Sequence, residues 1–253
     1  MNIPQVPDEI LRFLERFRDG ILTCLGSTVT ALYVYGSVVM GDFIPETSDI
    51  DFMVIVETLS RERGRCLEEL HRTLVRTHKY GRILEGDYIP LSHITPQGGL
   101  KTHYGYEKGF CYTMPGDVIS PDTLVTIREK SITLYGPPPD RIIPRVSDAV
   151  LKEYMVNLLK EYTEELKESD HDLLESASDV LNMLRSWHAA LTGQIVSKSE
   201  AASVALTTLP PCWHPLVQSA LTVRSGGLLE NEKSTILKKD AQSLAAFLVS
   251  EVT

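Results

Sequence analysis

A small mixed-sheet α/β domain followed by an all-α bundle is the fold this chain of 253 residues predicts. Three observations carry that expectation. Short β-branched and aromatic runs alternate with helical patterns as far as Tyr135. A triple-proline break follows at Gly136-Pro137-Pro138-Pro139-Asp140, which neither a helix interior nor a central strand accommodates. Beyond it the apolar residues recur almost wholly at helical period, so the expected domains are 1–145 and 146–253.

In the first domain, Ile10, Leu11, Leu14, Phe17, Ile21 and Leu22 recur at helical spacing and predict an opening helix. Val29 to Tyr35 and Ile50 to Val56 are β-branched and apolar, hence strands. A helix begins near Ser60, a residue suited to N-capping, with Leu67, Leu70, Leu74 and Val75 on its apolar face. Ile83 to Ile89 is a third strand, and Ser131 to Tyr135 supplies one more. Residues 96 to 120 mix Gly, Pro and Tyr and show no clear period.

In the second domain, Val150, Leu151, Tyr154, Met155, Leu158, Leu159 and Tyr162 predict a long helix starting near Ser147. A second runs from about Asp172 to Thr192 and stops at Gly193, a residue type favoured just past a helix end. Its buried face is expected to carry Val180, Leu181, Leu184 and Leu191. Ser197-Lys198-Ser199-Glu200 has the spacing of a capping box and opens a third helix that Pro210-Pro211 ends. A fourth follows Trp213, and a fifth carries Leu237, Ala241, Leu244 and Leu248. Trp187 and Trp213 sit at core spacing, and His71, His78 and His188 are expected to be structural residues on helices.

Composition narrows the function classes. With 43% hydrophobic and 23% charged residues the chain has the balance of a globular protein, which excludes a disordered one. Acids outnumber bases 34 to 25, for a formal charge of -9. That excludes a nucleic-acid binder relying on a globally basic surface and is compatible with a cationic partner. The segment MNIPQVPDEI lacks the basic and apolar regions of a signal peptide. No apolar run approaches the roughly 18 to 20 residues of a membrane helix. Cys24, Cys66, Cys111 and Cys212 are scattered without CxxC pairing, which reads as reduced thiols in a cytoplasmic protein and argues against a zinc site. A monomer is expected.

Chemistry concentrates in Tyr35-Gly36-Ser37 and, after eleven intervening residues, Asp49-Ile50-Asp51 at the head of a strand. Side chains alternate along a strand, so Asp49 and Asp51 share a face with their Cα atoms about 6 to 7 Å apart. Carboxylates so placed suit Mg²⁺, which prefers oxygen ligands and fills its remaining positions with phosphate and water. Gly36 permits a sharp turn that directs the Ser37 hydroxyl and nearby N–H groups at a polyphosphate. In Ile83-Leu84-Glu85-Gly86-Asp87, Glu85 and Asp87 again share a face, and Gly86 is expected to leave the opposite face clear. From a neighbouring strand Glu85 can join the metal site or take a proton from an attacking hydroxyl. A DxD alone is more often a solvated strand edge; the Gly-Ser turn and the flanking strands make the pattern specific.

With these residues the chain resembles the nucleotidyltransferase superfamily of the DNA polymerase β type. Arg185-Ser186-Trp187, Thr192-Gly193, Ser197-Lys198-Ser199-Glu200-Ala201 and Thr208-Leu209-Pro210 resemble the C-terminal helical domain of the streptomycin/spectinomycin aminoglycoside adenylyltransferases. Leu134-Tyr135-Gly136-Pro137 is similar to that family's interdomain junction. The resemblance implies transfer of AMP from MgATP to a hydroxyl of an aminocyclitol antibiotic, with release of pyrophosphate. Position by position, it implies that Ser37 holds phosphate, Asp49 and Asp51 bind magnesium, and Glu85 is the general base. Arg185 and Lys198 match residues that reach the ATP phosphates, and Arg224 stands where the family has a phosphate-contacting Tyr. Lys198 has independent support, because a cation in a helix's first turn opposes the macrodipole and is more comfortable beside an anion.

Acceptor recognition is expected on the second predicted helix of the bundle. Glu175, Asp179 and Asn182 form a polar stripe at i, i+4 and i+7 within a segment rich in acids from Glu161 onward. Such a stripe attracts a polycationic aminocyclitol and hydrogen-bonds its amines, although most acids of a run like this are simply solvated. Glu175 matches an antibiotic-binding carboxylate of the family; Asp87 and Phe110 complete the acceptor candidates. Leu166 and His171 stand where the family has its streptomycin-contacting Trp and Asp, which favours spectinomycin or another small hydroxylated amine over streptomycin. Two alternatives stay open: the same chemistry on a lincosamide or a protein hydroxyl, and a catalytically silent nucleotide-binding module.

Overall fold

The computed structural model describes residues 6–94, 102–107, 110–115, 119–168, 171–229 and 231–253, and it divides into two units, Met1–Val146 and Ser147–Thr253. The first unit is built on a six-stranded sheet in the order β5-β4-β3-β2-β1-β6. Its strands are β1 (Val29–Tyr35), β2 (Ile50–Val56), β3 (Leu84–Pro90), β4 (Thr102–Glu107), β5 (Phe110–Pro115) and β6 (Ile132–Tyr135). Four pairings are antiparallel and one, β2 with β3, is parallel. A parallel pair needs a long crossover. Here α3 (Arg61–Thr77) supplies it, with the Ser60 side chain accepting from the Arg63 N–H at 3.3 Å.

Strand alternation gives the sheet two chemically distinct faces. Leu32, Val34, Phe52, Val54, Leu84 and Tyr88 point into one core with α1 (Asp8–Leu25). The buried stripe of α1 is Ile10, Phe13, Leu14, Phe17, Ile21 and Leu25. Leu11, expected in that stripe, is exposed, and Leu22 is only half-buried; Phe13 and Leu25 take the inner positions. The Phe17 and Phe52 rings meet edge to face with centroids 4.8 Å apart, and burying each such side chain contributes roughly 1.5–3 kcal/mol. His71 of α3 is buried in the same layer against Phe17, Phe52 and Tyr88, with its Nε2 on the Tyr88 hydroxyl. Burial lowers its pKa to about 3, so it is a neutral core residue. His78 ends α3 in extended conformation rather than lying within it.

The cysteines correct an expectation. Cys24 in the last turns of α1 is disulfide-bonded to Cys66 in α3, so these two are not free thiols. The helices meet closely there: a Cβ on Gly20, one turn before Cys24, would lie 2.4 Å from Leu70, one turn after Cys66. Reading thiol state from spacing failed because the partners lie on separate helices, and the inference of a reducing compartment loses its basis in this pair. Cys212 is free and exposed.

The opposite face of the sheet carries Tyr33, Tyr35, Asp51, Met53, Glu85 and Asp87 by the same alternation. It is partly covered by α4 (Pro121–Glu129), a helix the sequence reading did not place, with Leu124, Val125 and Ile127 buried. At the end of β6, Gly136 has φ +86, and a Cβ there would stand 2.3 Å from the Thr30 carbonyl oxygen. The Tyr33 hydroxyl donates to the Pro137 carbonyl at 2.9 Å, pinning the proline run to the sheet. β4 and β5 form a hairpin in the region without clear sequence period.

The second unit contains α5 (Asp148–Glu168), α6 (Leu173–Thr192), α7 (Lys198–Thr208), α8 (His214–Arg224) and α9 (Asn231–Val252). Helix α6 packs against the other four. Its start is a full capping box, Asp172 accepting from the Glu175 N–H at 2.9 Å while Glu175 accepts from the Asp172 N–H at 2.8 Å. It ends on Gly193 at φ 71, whose N–H reaches the Ala189 carbonyl. Val180, Leu181 and Leu184 are buried as expected, but Leu191 is 52% exposed. Trp187 and Ala190 hold the inner side of the last turns and leave Leu191 outward. Trp213 lies in a 3-10 turn, half-buried with its ring 5.5 Å from Phe247. No helix among the described residues is long and apolar enough to cross a membrane.

Candidate active site

The Gly-Ser turn and the acidic strand meet as one built unit. Gly36 adopts φ 73 and ψ -149, a region nearly closed to side-chain-bearing residues. A Cβ on it would stand 1.9 Å from Asp51 Oδ2, so the Asp51 carboxylate lies directly against the glycine backbone. Tyr35 and Asp51 are register partners across β1 and β2. Ser37 opens the short helix α2 (Ser37–Met40), and its hydroxyl donates to the Asp49 carbonyl at 3.3 Å. Buried Ser48 accepts from the Ile44 N–H at 3.0 Å, and the Ile50 N–H bonds to Ile83 O at 2.6 Å. The approach to Asp49 is thus fixed from both sides.

Glu85 is the register partner of Asp51 across the parallel pair, and Asp87 partners Met53 two residues on. Neighbouring strands lie about 4.8 Å apart, so Asp51 and Glu85 are side by side on one face. Asp49, Asp51, Glu85 and Asp87 are all half-buried. Three of them register on Tyr35, whose phenol is pushed well above its usual value by burial, and further by Asp51, Asp87 and Glu85 together with Asp122. Asp122, in the first turn of α4, has a buried Oδ1 with no hydrogen-bond partner. Neither Tyr35 nor Asp122 was assigned a role from sequence. The signal for the latter was Ser120-Pro121-Asp122, a cap followed by proline and an acid, which marks a helix start.

Two expectations about this face need correction. Gly86 does not leave the other side of β3 clear: a Cβ there would fall 2.0 Å from the Phe52 carbonyl oxygen and 2.8 Å from the Phe52 ring. Glycine is needed for close strand approach and for the aromatic packed over it. The three acids do not form a finished metal cage either, since no group of three or more His, Cys, Asp or Glu among the described residues could hold an ion. The donor set still suits magnesium, which binds through one or two carboxylates and takes its other oxygens from water and substrate phosphate.

In the second unit, Lys198 is the first residue of α7 and its Nζ donates to Ser178 Oγ at 2.8 Å. Arg185 donates through Nε to the Val196 carbonyl at 3.2 Å. Arg224 ends α8 and is buried. Glu175 is exposed and one of its oxygens serves the capping box, whereas Asp179 is held by His171 Nδ1 at 2.7 Å. Asn182 hydrogen-bonds Tyr162 of α5, whose phenol rises to about 12, mainly through burial and then through Asp179. The structure brings Glu175, Asp179 and Asn182 to one side of α6, and Arg185 and Lys198 to the neighbouring α6 and α7 segments. Phe110 opens β5, but its side chain lies outside the described residues, as do those of Cys111, Lys167, Glu168 and Asp170.

A strand-borne carboxylate braced on a Gly-Ser turn, with a second carboxylate beside it across a parallel pair, is an arrangement suited to metal-assisted phosphoryl transfer. Comparison with known proteins agrees: residues 14–90 match a nucleotidyltransferase domain, and residues 141–251 match the aminoglycoside adenylyltransferase C-terminal domain. A spectinomycin 9-adenylyltransferase of Campylobacter jejuni is 25% identical over 264 residues, covering 100% of this chain and 97% of its own. One from Staphylococcus aureus (strain Mu50) is 27% identical over 221 residues, covering 81% and 80%. Among solved structures, the spectinomycin adenyltransferase AAD(9) from Enterococcus faecialis with ATP and spectinomycin shares the fold at TM-score 0.70 and 15% identity, over 93% of this chain and 99% of that one. The chain thus shares a nucleotidyltransferase domain and the C-terminal domain of the aminoglycoside adenylyltransferases.

Proposed function

We propose that this enzyme transfers AMP from MgATP to a hydroxyl of a spectinomycin-like aminocyclitol and releases pyrophosphate. The observation that carries the proposal is the Asp51 carboxylate seated on Gly36 with Glu85 at the same register on β3. Asp49 and Asp51 would hold magnesium together with the nucleotide phosphates. The ion's contribution is to neutralise charge on the triphosphate. Ser37 positions phosphate beside the turn. Glu85 accepts the proton of the acceptor hydroxyl as its oxygen attacks the α-phosphorus, the phosphoester forms, and the bond to pyrophosphate breaks.

From the second unit, Arg185, Lys198 and Arg224 are proposed to contribute to phosphate binding, and Glu175, Asp179 and Asn182 to acceptor recognition, with Asp87 and Phe110 as further acceptor contacts. Leu166 and His171 in place of the family's streptomycin-contacting pair support spectinomycin over streptomycin. The names of the relatives point the same way.

The test is pyrophosphate release with MgATP against a panel of spectinomycin, streptomycin and a lincosamide. Spectinomycin should turn over fastest. Glu85→Gln should lower that rate by about 10²- to 10⁴-fold without altering the circular dichroism spectrum. Undiminished turnover by Glu85→Gln would remove the assigned base; ATP binding without product from any acceptor would leave only a nucleotide-binding module.

A further inference from the structure

At the start of helix α6 stands a titratable pair: Asp179, proposed above for acceptor recognition, and His171, which has no part in the proposed proton or phosphate chemistry. His171, just before the Asp172 cap, turns back along the helix and sets its Nδ1 2.7 Å from Asp179 Oδ2. Side-chain exposure is 38% for His171 and 15% for Asp179, so the acid is the enclosed partner and the imidazole the open one. A carboxylate so enclosed is costly unless a cation or a donor faces it. Burial accordingly pushes Asp179 above the usual carboxylate range, and His171 works against that push.

The other charged groups acting on the pair are Glu165 of α5 and Glu175 of α6, both exposed and both acidic. Tyr162 of α5 stands beside Asp179, with Arg185 of α6 acting on it from the next turns. From α7, Lys198 is bonded to Ser178, the residue before Asp179. The contact with Asp179 raises the His171 pKa above its ordinary value.

We infer that His171 is a proton-operated specificity residue: protonated, it pairs with Asp179 and withholds that carboxylate from a cationic acceptor; neutral, it yields Asp179 to an acceptor ammonium. The inference rests on the assignment of the α6 acidic stripe to an aminocyclitol. The exchange balances in charge and protons. An acceptor ammonium replaces the imidazolium at Asp179, and the proton leaves His171 for solvent. Acceptor binding and proton release are therefore linked, and acceptor affinity rises with pH through the His171 titration.

Calorimetry of the full chain with spectinomycin, in the presence of a non-hydrolysable ATP analogue, tests this. Measured between pH 6 and 8 in two buffers of different ionisation heat, it counts protons released on binding. The wild type should release a fraction of a proton that His171→Gln does not. Wild-type affinity should also gain up to about tenfold over that range relative to the variant, a comparison that cancels the acceptor's own titration. Equal proton release and equal pH slopes in the two proteins would overturn the inference while leaving the acceptor assignment standing. Failure of spectinomycin to bind either protein would overturn the acceptor assignment and the inference with it. Imidazole NMR supplies a readout without acceptor: Asp179→Asn should return His171 to an ordinary titration, and no change would refute the pairing.

Discussion

Replacing Gly36 by alanine tests the site's construction more sharply than removing any acid. The substitution deletes no functional group, so every effect comes from backbone and space. At φ 73 and ψ -149 an L-residue is strained by about 1–3 kcal/mol. The new methyl would start 1.9 Å from Asp51 Oδ2, whereas ordinary contact begins near 3.4 Å. The carboxylate must therefore retreat by about 1.5 Å or the turn must open. Misplacing a reacting group by even 1 Å can cost on the order of 10² in rate, or about 2.7 kcal/mol of barrier. Gly36→Ala should thus lower the urea unfolding free energy by about 1–3 kcal/mol. Turnover per folded molecule should fall by about 10²-fold or more. Stability by chemical denaturation and pyrophosphate release under saturating substrates would be measured on the same preparation. Wild-type turnover at wild-type stability would refute the placement of Asp51 against the turn.

Reduction of Cys24–Cys66 opens a loop with sequence separation 42 and should cost up to about 4 kcal/mol by chain entropy. Urea midpoints with and without reductant, matched against Cys24→Ser, check this; identical midpoints in all three would show that the bond contributes nothing. Phe17→Ala removes a fully buried ring from the helix-covered face and should destabilise by about 3–5 kcal/mol, with turnover per folded molecule unchanged. Buried His71 has a folded pKa of about 3, below its unfolded value near 6.5, so the unfolded chain binds the extra proton between these limits. Stability is therefore full above about pH 6.5 and declines as pH falls toward 3, and His71→Gln should flatten that part of the profile; an unaltered profile would contradict the assignment.

Much of this protein was legible in its sequence where a local signal and the tertiary context agree. β1 and β2 carry β-branched and aromatic runs, and Ser60 caps α3 through its own side chain. Gly193 ends α6 in the left-handed conformation that favours glycine. The Asp51–Glu85 adjacency could also be anticipated, because consecutive strands joined by a helix commonly pair in parallel. What escaped depends on contacts distant in sequence. The disulfide joins two helices whose crossing no spacing rule encodes. The role of Gly86 requires knowing that the Phe52 ring packs over it. Leu191 has an apolar identity and the right period but lies outward at the end of a helix whose inner side is already occupied. α4 was missed because nine residues offer barely two apolar turns, in a region whose neighbours show no period.

The parallel alignment of β2 and β3 also bears on when the molecule becomes competent. Antiparallel hairpins can close as soon as their turn is made, but the Asp51–Glu85 neighbours meet only after the intervening crossover has formed and docked. A chain emerging from the ribosome therefore holds its two principal acids apart until the segment through Pro90 has cleared the exit. Within the first unit, the acidic pair therefore comes into being in one step, with closure of that one ladder.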